Sequence, residues 1–244
     1  MTSEPRRGRS ALRPFDILEA FREAGKPLSL SEVARLADMP VSTCHGVLRA
    51  LEEAGYLYFL STREAYPTRR LYEMAREIDA RDPVAQRMVP LLERLRDATR
   101  ETVVLAALQG DHAVNLAVLE SPQTIRYASR PGDARQLHTT SLGKALLMAM
   151  STTERAVRIA RLRLGARTGK SITSKAALEA DLEAAARRGY SVSRGENSPD
   201  VMAIAMPVRL AGTALSVAVA GPMERIAAAE TRIVAQLKRC VEAL

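Results

Sequence analysis

LSLSEVARLADMPVSTCHGVLRALEEAGY, residues 28–56, contains two short amphipathic patterns separated by a break at residues 38–40. Ser29 followed by Glu32 has the form of a capping box and predicts the start of the first helix. The second pattern predicts a helix from about residue 41 to 53, because its apolar positions recur at helical spacing. Two helices joined by so short a turn are typical of a helix-turn-helix.

The flanking sequence extends this motif on both sides. Apolar residues at helical spacing predict a preceding helix over residues 11–23. Two short alternating stretches, 56–60 and 65–68, surround the polar residues 61–64 and predict a β-hairpin. Three closely spaced helices followed by a hairpin predict a winged helix-turn-helix.

The pattern after residue 69 differs from that of the first segment. Residues 69–100 are predicted to be helical with a break at Asp82-Pro83, and apolar strands in hairpin-like pairs follow. The predicted strands are 102–108, 114–119, 125–129, 190–194, 203–208 and 215–220, and the predicted helices are 141–150, 153–164, 174–188 and 223–244. This order predicts an α+β fold with a mostly antiparallel sheet.

Composition limits the class of protein. The 244-residue chain has 47% apolar residues, enough for a packed core, and only two cysteines, too few for a disulfide framework or a structural zinc site. The absence of a signal peptide and of a run of about 18 apolar residues predicts a cytoplasmic protein with no membrane contact. With 36 Lys and Arg against 28 Asp and Glu, the charge of +8 favours a polyanionic partner such as nucleic acid.

The positive charge lies outside the predicted helix-turn-helix. Residues 1–80 contain 12 Lys and Arg and 12 Asp and Glu, so residues 81–244 carry the whole surplus. Its densest part is 144–170, where seven Lys and Arg face only Glu154. A solvated helix face and a surface that steers anions or meets an acidic partner both remain open. Nucleic-acid binding is therefore predicted from the helix arrangement and not from net charge.

The second helix of the motif divides into two faces. Val47, Leu48 and Leu51 are predicted to pack inward, and small hydrogen-bonding groups lie near the helix N-terminus. A helix that enters the major groove by its N-terminal end needs this division, although an ordinary capped amphipathic helix shows it too. The predicted DNA-contacting residues of this helix are Ser42, Thr43, His45 and Arg49, and the predicted backbone contacts from the N-terminal arm and the wing are Arg6, Arg7, Arg9 and Arg63.

Six segments spread over nearly the whole chain carry a more specific signal. They are residues 28–56, ETVVLA at 101–106, LHTTSLGKALL at 137–147, RGY at 188–190, AMPV at 205–208 and LSVAVAGP at 215–222. In order and spacing they resemble the IclR family of bacterial transcriptional regulators. The stretch around His138 and residues 143–145 is the most distinctive part of the resemblance.

The resemblance implies three parts and a set of partners. The parts are a winged helix-turn-helix DNA-binding domain with a basic arm (1–68), a linker helix (69–82), and a profilin-like or GAF-like α/β effector-binding and oligomerisation domain (83–244). It further implies a homodimer or homotetramer on a palindromic double-stranded DNA operator, controlled by a small-molecule effector, without a cofactor.

Gly46 departs from the family pattern. The family commonly has Arg directly after the histidine of this helix, and a glycine inside a helix costs about 1 kcal/mol. We expect base contacts to depend more on Ser42, Thr43 and Arg49, together with the arginine arm in the minor groove. The alternative is a small-molecule-binding dimer whose helix-turn-helix no longer binds specific DNA.

The effector pocket is the second departure. The resemblance places the pocket at Ser141, Leu142, Ser193, Ala203, Ala218 and Ala220. The family often has an acid at the position of Ser193, Cys at that of Ala203, and Ser at those of Ala218 and Ala220. Loss of a thiol and two hydroxyls removes donors that a two- or three-carbon acid needs, and it makes the pocket wider and more apolar.

We therefore expect a larger effector, such as an aromatic acid or its ester. Its carboxylate is predicted to bind Ser141, Ser193 or a nearby arginine, Arg126 or Arg130. The alternative is a pocket that has lost its ligand and serves only in dimerisation.

The sequence does not favour an enzyme. The three histidines are far apart, and none has a partner at metal-ligand spacing. Residues 141–144 lack the preceding glycine-rich run of a P-loop, and no nucleophile elbow is present. His138 or Thr139 is predicted to cap the following helix, and Cys44 is predicted to be a buried structural thiol.

Overall fold

The computed structural model describes residues 9–244, without the side chains of Arg9 and Ala85. Arg6 and Arg7 of the predicted arm therefore lie outside the described residues, and Arg9 begins a short 3-10 turn. The chain forms two compact units, one ending at Asp82 and the other beginning at Pro83.

The first unit has the helix and strand order predicted from the sequence. Its elements are α1 (Arg13–Ala24), α2 (Leu30–Leu36), α3 (Val41–Glu53), β1 (Leu57–Phe59), β2 (Ala65–Pro67) and α4 (Arg70–Asp79). The predicted capping box at the start of α2 is confirmed, since Ser29 Oγ accepts from the Glu32 N–H and the Glu32 carboxylate accepts from the Ser29 N–H at 2.9 Å. These backbone and side-chain hydrogen bonds from Ser29 lower the pKa of Glu32 to about 2.

One apolar core holds the first unit together. Ile17 and Phe21 of α1, Val33 of α2, and Cys44 and Leu48 of α3 are all buried in it. The prediction that Cys44 is buried is confirmed, and burial raises the pKa of its thiol, which therefore stays protonated near neutral pH. Because Cys44 and Leu48 lie one helical turn apart, they fix which face of α3 points away from the core.

The second unit is a six-stranded antiparallel sheet with helices on both faces, in the strand order β5-β4-β3-β8-β7-β6. Its elements are α5 (Pro83–Thr99), β3 (Thr102–Gln109), β4 (His112–Leu119), β5 (Ala134–Gln136), α6 (Ser141–Met148), α7 (Thr152–Arg161), α8 (Lys175–Arg188), β6 (Ser191–Arg194), β7 (Val201–Leu210), β8 (Thr213–Pro222), α9 (Met223–Ala228) and α10 (Glu230–Glu242). Helices α5, α9 and α10 pack on one face, and α6 packs with α8 on the other. No helix among residues 9–244 has the length and apolarity needed to span a bilayer.

Three local predictions are wrong. Residues 125–129 are not a strand, because side chains bind their carbonyls: Thr102 Oγ1 donates to Tyr127 O at 2.6 Å, and Arg225 Nη2 donates to Ile125 O at 2.9 Å. The final helix is broken at Ala229 into α9 and α10. The cap of α6 is Thr140, whose Oγ1 accepts from the Gly143 N–H at 3.2 Å, and not His138 or Thr139.

Candidate functional site

Helix α3 presents a polar face away from the core of the first unit. Ser42, His45 and Arg49 are exposed, and Thr43 is half-buried beside them. These four predicted contact residues therefore share the side of the helix opposite Cys44 and Leu48. The arrangement leaves one face of α3 free to enter a groove, as a recognition helix requires.

Two neighbouring side chains, Glu52 and Phe59, contact the Arg49 guanidinium. Its Nη1 donates to Glu52 Oε2 at 2.7 Å, and its guanidinium lies 5.7 Å from the centre of the Phe59 ring on β1. An exposed ion pair of this spacing contributes only about 0.3–0.5 kcal/mol. Arg49 can therefore exchange Glu52 for a base or a phosphate at small cost.

The wing and Gly46 complete this surface. Arg63 lies in the turn between β1 and β2 with a φ of 63°, a left-handed conformation that is unusual for a residue with a side chain. Its N–H donates to Leu60 O at 3.0 Å, which closes the turn. Gly46 is exposed on α3, and no atom lies within 4 Å of where its Cβ would be, so packing does not require a glycine there.

A pocket opens on the second unit between the sheet and the N-terminal end of α6. Its lining residues are Val104, Asn115, Tyr127, Arg135, Thr140, Ser141, Leu142, Ser193, Asn197, Ser198, Val201, Ala203, Ala218 and Ala220. The centres of water molecules can occupy about 40 Å³ of it, which is space for roughly three waters. All six positions that the sequence resemblance assigned to the pocket are among these residues.

The floor of the pocket is a row of small side chains across three strands. Ser193 of β6 pairs with Ala203 of β7, which in turn pairs with Ala220 of β8. Ala218 lies on the same face two residues earlier, opposite Val104 of β3. The space above the sheet exists because these positions carry methyl and hydroxymethyl groups in place of larger side chains.

Arg135 is the arginine that lines the pocket. It reaches the pocket because β5 pairs with β4, with Arg135 opposite Ala113. Its Nη2 donates to Asp133 Oδ2 at 2.8 Å, and its Nε is buried without a partner among the described residues. Burial opposes ionisation of Asp133, but hydrogen bonds from Ser129 and Arg130 and the charge of Arg135 together lower its pKa.

The two arginines expected at the pocket lie elsewhere. Arg126 Nε donates to Glu120 Oε2 at 2.8 Å on the surface. Arg130 occupies the turn before β5, where its N–H donates to Asp133 Oδ2 at 3.1 Å. Neither contributes to the pocket wall.

Lys144 of α6 forms a buried ionic cluster beside the pocket. Its side chain is 0% exposed, and its Nζ lies 2.7 Å from Glu196 Oε2 and 2.9 Å from Asp181 Oδ2. The same Nζ donates to Val192 O at 3.1 Å. The cluster joins α6 and α8 to the segment after β6, which carries Asn197 and Ser198 into the pocket wall. Lys144 belongs to the basic segment 144–170. Because its side chain is buried, Lys144 adds no charge to the surface of that segment.

His138 packs under the N-terminal end of α6. It is 1% exposed, and its Nε2 lies 3.1 Å from Gly165 O. Burial lowers the pKa of His138, the nearby Lys144 charge lowers it further, and the hydrogen bond with Gly165 only partly opposes them. The ring is therefore neutral at pH 7 and acts as a packing and hydrogen-bonding group.

Two family models match the chain. The IclR helix-turn-helix domain matches residues 10–61, and the bacterial transcriptional regulator IclR C-terminal domain matches residues 78–244. The chain belongs to the IclR family. It therefore combines a DNA-binding helix-turn-helix with an effector-binding domain.

Named relatives agree with this assignment. The HTH-type transcriptional regulator BhcR of Paracoccus denitrificans is 33% identical over 236 residues, which cover 95% of this chain and 83% of the relative. The probable transcriptional regulator SauR of Cupriavidus necator is 30% identical over 220 residues, 89% of this chain and 87% of the relative. These relatives are named as transcriptional regulators and not as enzymes.

Solved structures of IclR proteins share the fold. The Thermotoga maritima IclR superposes with a TM-score of 0.80 at 24% identity, covering 97% of both chains. An IclR homologue from Microbacterium hydrocarbonoxydans, solved in complex with 4-hydroxybenzoate, superposes with a TM-score of 0.75 at 24% identity and covers 96% of both chains.

Sequence reasoning missed Arg135 and Asn115 of the pocket. Asn115 directly precedes a β-bulge that lies between the pairs Ala106–Asn115 and Leu105–Ala117. The bulge leaves Leu116 as the extra residue, and Asn115 lies on the pocket face because it follows Ala113 by two residues in regular alternation. A single polar residue inside the apolar stretch 113–119 is the one signal in the sequence that marks this position.

Proposed function

We propose that this chain is an IclR-type regulator that binds a palindromic operator as a dimer or tetramer and is controlled by a small aromatic acid. The observation that supports the effector class is the pocket itself, which combines apolar walls with a single arginine. Val104, Leu142 and the alanines of the sheet suit an apolar ring, and Arg135 supplies a positive charge for a carboxylate.

Two backbone donors at the start of α6 support the proposed carboxylate site. The first N–H groups of a helix have no acceptor within the helix, and Thr140 caps only that of Gly143. The N–H groups of Ser141 and Leu142 therefore face the pocket end of the helix as donors, where the helix dipole also favours an anion. Support from a protein of the same fold comes from the Microbacterium homologue, which was solved with 4-hydroxybenzoate.

Replacement of Arg135 tests the effector proposal. Loss of a charged hydrogen bond of about 1.5–3 kcal/mol is expected to weaken acid binding by roughly 10- to 100-fold in Arg135→Gln. The measurement is a thermal-shift screen of aromatic and aliphatic acids, followed by titration of the acids that stabilise the protein. Arg126→Gln is the matched control, because it removes an equal charge outside the pocket. Equal losses in both variants, or no stabilisation of the wild type by any acid, would contradict the proposal.

For DNA binding we propose that Ser42, Thr43, His45 and Arg49 contact the operator through α3, with the wing residue Arg63 on the backbone. Their support is the shared exposed face of α3 opposite its buried residues. The test is a gel shift that compares the gene's own upstream region with a random duplex. In Arg49→Ala the difference in binding free energy between these two duplexes is expected to fall by about 1–3 kcal/mol. Arg187→Ala removes the same charge from an exposed site on α8 and is expected to keep the preference. An unchanged preference in Arg49→Ala would refute the role of this helix.

Self-association is supported by exposed apolar side chains of the first unit. Phe15 of α1 is 63% exposed, and Tyr72 and Ile78 of α4 are 59% and 65% exposed. Large exposed apolar groups on α1 and α4 are compatible with contact between subunits, and a palindromic operator needs two copies of α3. Sedimentation analysis is expected to show a dimer or a tetramer, and a monomer at micromolar concentration would contradict this part of the proposal.

A further inference from the structure

The orientation of the Asn115 amide is fixed by its neighbours. Its Nδ2 donates to Arg130 O at 3.3 Å and to Ser129 Oγ at 2.9 Å. A backbone carbonyl can only accept, and the Ser129 hydroxyl already donates to Asp133 Oδ2 at 2.9 Å. Both neighbours therefore require a donor from Asn115, so the amide cannot be turned over.

This fixed orientation leaves the amide oxygen without a donor. Asn115 is 3% exposed and lines the pocket, and its Oδ1 has no hydrogen-bond partner among the described residues. A buried acceptor of this kind is unfavourable unless something in the pocket donates to it. The Ser193 hydroxyl in the wall already donates to Thr139 O at 2.8 Å and can only accept from a ligand, and the Asn115 carbonyl oxygen likewise can only accept.

The charged residues of the pocket wall indicate whether a charged or a neutral donor group on the ligand is favoured. Among the described residues that line the pocket, Arg135 is the only charged one. The nearby Asp133 already accepts from Ser129, Arg130 and Arg135. An ammonium group on a ligand would therefore be repelled by Arg135 and would find no free carboxylate, whereas a neutral hydroxyl meets neither obstacle.

We propose that the effector is a hydroxy acid, whose carboxylate pairs with Arg135 and whose hydroxyl donates to Asn115 Oδ1. This inference rests on the proposed organic-acid effector and narrows it to acids with a neutral hydrogen-bond donor. A site built to bind a hydroxyl discriminates strongly against an analogue without one, because a buried polar group is then left unpaired.

Calorimetric titration of the full chain with matched ligands tests this inference. The probes are benzoate, the three hydroxybenzoates, the three methoxybenzoates, lactate and propionate. A methoxy group keeps the oxygen but cannot donate, so it separates donation from size and polarity. At least one hydroxy acid is expected to bind at least about tenfold more tightly than its deoxy and methoxy partners.

Two variants assign the preference to the Asn115 oxygen. Asn115→Leu preserves the shape and removes the acceptor, so the preference for the hydroxyl is expected to fall to within about twofold. Ser129→Ala removes a partner of Nδ2 but keeps Oδ1, and the preference is expected to remain. If Asn115→Leu does not fold, as judged by its thermal unfolding, the comparison of hydroxy and methoxy acids on the wild type still decides the ligand class.

The outcomes separate this inference from the proposed function. If no acid binds, the proposed effector class is wrong. If aromatic acids bind but no hydroxy acid binds more tightly than its deoxy and methoxy partners, the proposed effector class stands and the hydroxy-acid inference is overturned. If Asn115→Leu keeps the preference, another group accepts the hydroxyl and the role of Asn115 is overturned.

Discussion

The two faces of the six-stranded sheet are built from the same strands but differ in side-chain size. On β7 and β8 the face toward α5 and α10 carries large apolar residues such as Ile204 and Val219, which are 0% exposed. The opposite face carries Ala203, Ala218 and Ala220. Because successive residues of a strand point to opposite faces, one pair of strands forms a filled core on one side and an open pocket on the other.

The faces also differ in how their helices are attached. Helix α10 packs on the filled face through Ile233 and Leu237, which are fully buried. Helix α6 on the pocket face has apolar contacts too, but Lys144 and its carboxylate partners add a buried ionic attachment. The filled face has an ion pair too, between the buried Glu101 and Arg225 of α9, but there the cation is partly exposed, whereas Lys144 is fully buried beside the ligand space.

The largest expected effect is that of removing the buried cation. Lys144→Met leaves Glu196 buried without its partner, which is expected to destabilise the fold by roughly 3–5 kcal/mol. Urea unfolding measures this loss, and Lys238→Met, at an exposed position of α10, is expected to change stability by less than about 0.5 kcal/mol.

A second substitution tests the cause of that loss. Lys144→Met combined with Glu196→Met removes the cation and its more buried carboxylate and leaves only the partly exposed Asp181, so most of the lost stability is expected to return. A Lys144→Met variant with the same free energy of unfolding as the wild type would show that the ionic cluster does not stabilise the pocket face.

Adjacent residues of β7 provide a matched pair for the two faces. Ile204→Ala opens a cavity in the filled face and is expected to cost about 3 kcal/mol without changing the pocket walls. Ala203→Val places its added methyl groups in open pocket space, so it is expected to cost less than about 1 kcal/mol and to weaken acid binding. Urea unfolding and ligand titration of both variants separate the effects. Similar stability losses in the two variants would contradict the distinction between the faces.

The sequence predicted features that depend on local patterns and missed those that depend on pairing between distant segments. Helix α3 has the predicted bounds because its periodicity and its flanking Pro40 and Gly55 act locally. The small residues of the pocket floor were assigned through family resemblance. Arg135 was missed because its place depends on the β4–β5 pairing, and residues 125–129 look like a strand until side-chain hydrogen bonds to their carbonyls are known. Asn115 was missed because the sequence does not show which face of β4 borders the pocket, and the bulge after Asn115 reverses the alternation from Ala117 onward.

The smallest expected effect is a pH dependence on the pocket face. The pKa of His138 is lowered by burial, so the unfolded chain binds a proton more readily than the folded chain does. The stability that follows from a neutral His138 is therefore complete above the unfolded value of about 6.5 and is lost as pH falls through the lower folded pKa. The direct contact at the ring is Gly165 O, and the charge acting on it is Lys144.

His138→Gln isolates this dependence, because glutamine keeps a polar nitrogen for Gly165 O and does not titrate. Unfolding free energies of both proteins between pH 8 and pH 5 measure it. We expect the wild type to lose stability relative to the variant as pH falls below about 6.5. A difference that stays constant over this range, or that shifts in favour of the wild type in acid, would mean that His138 is not held neutral by its burial.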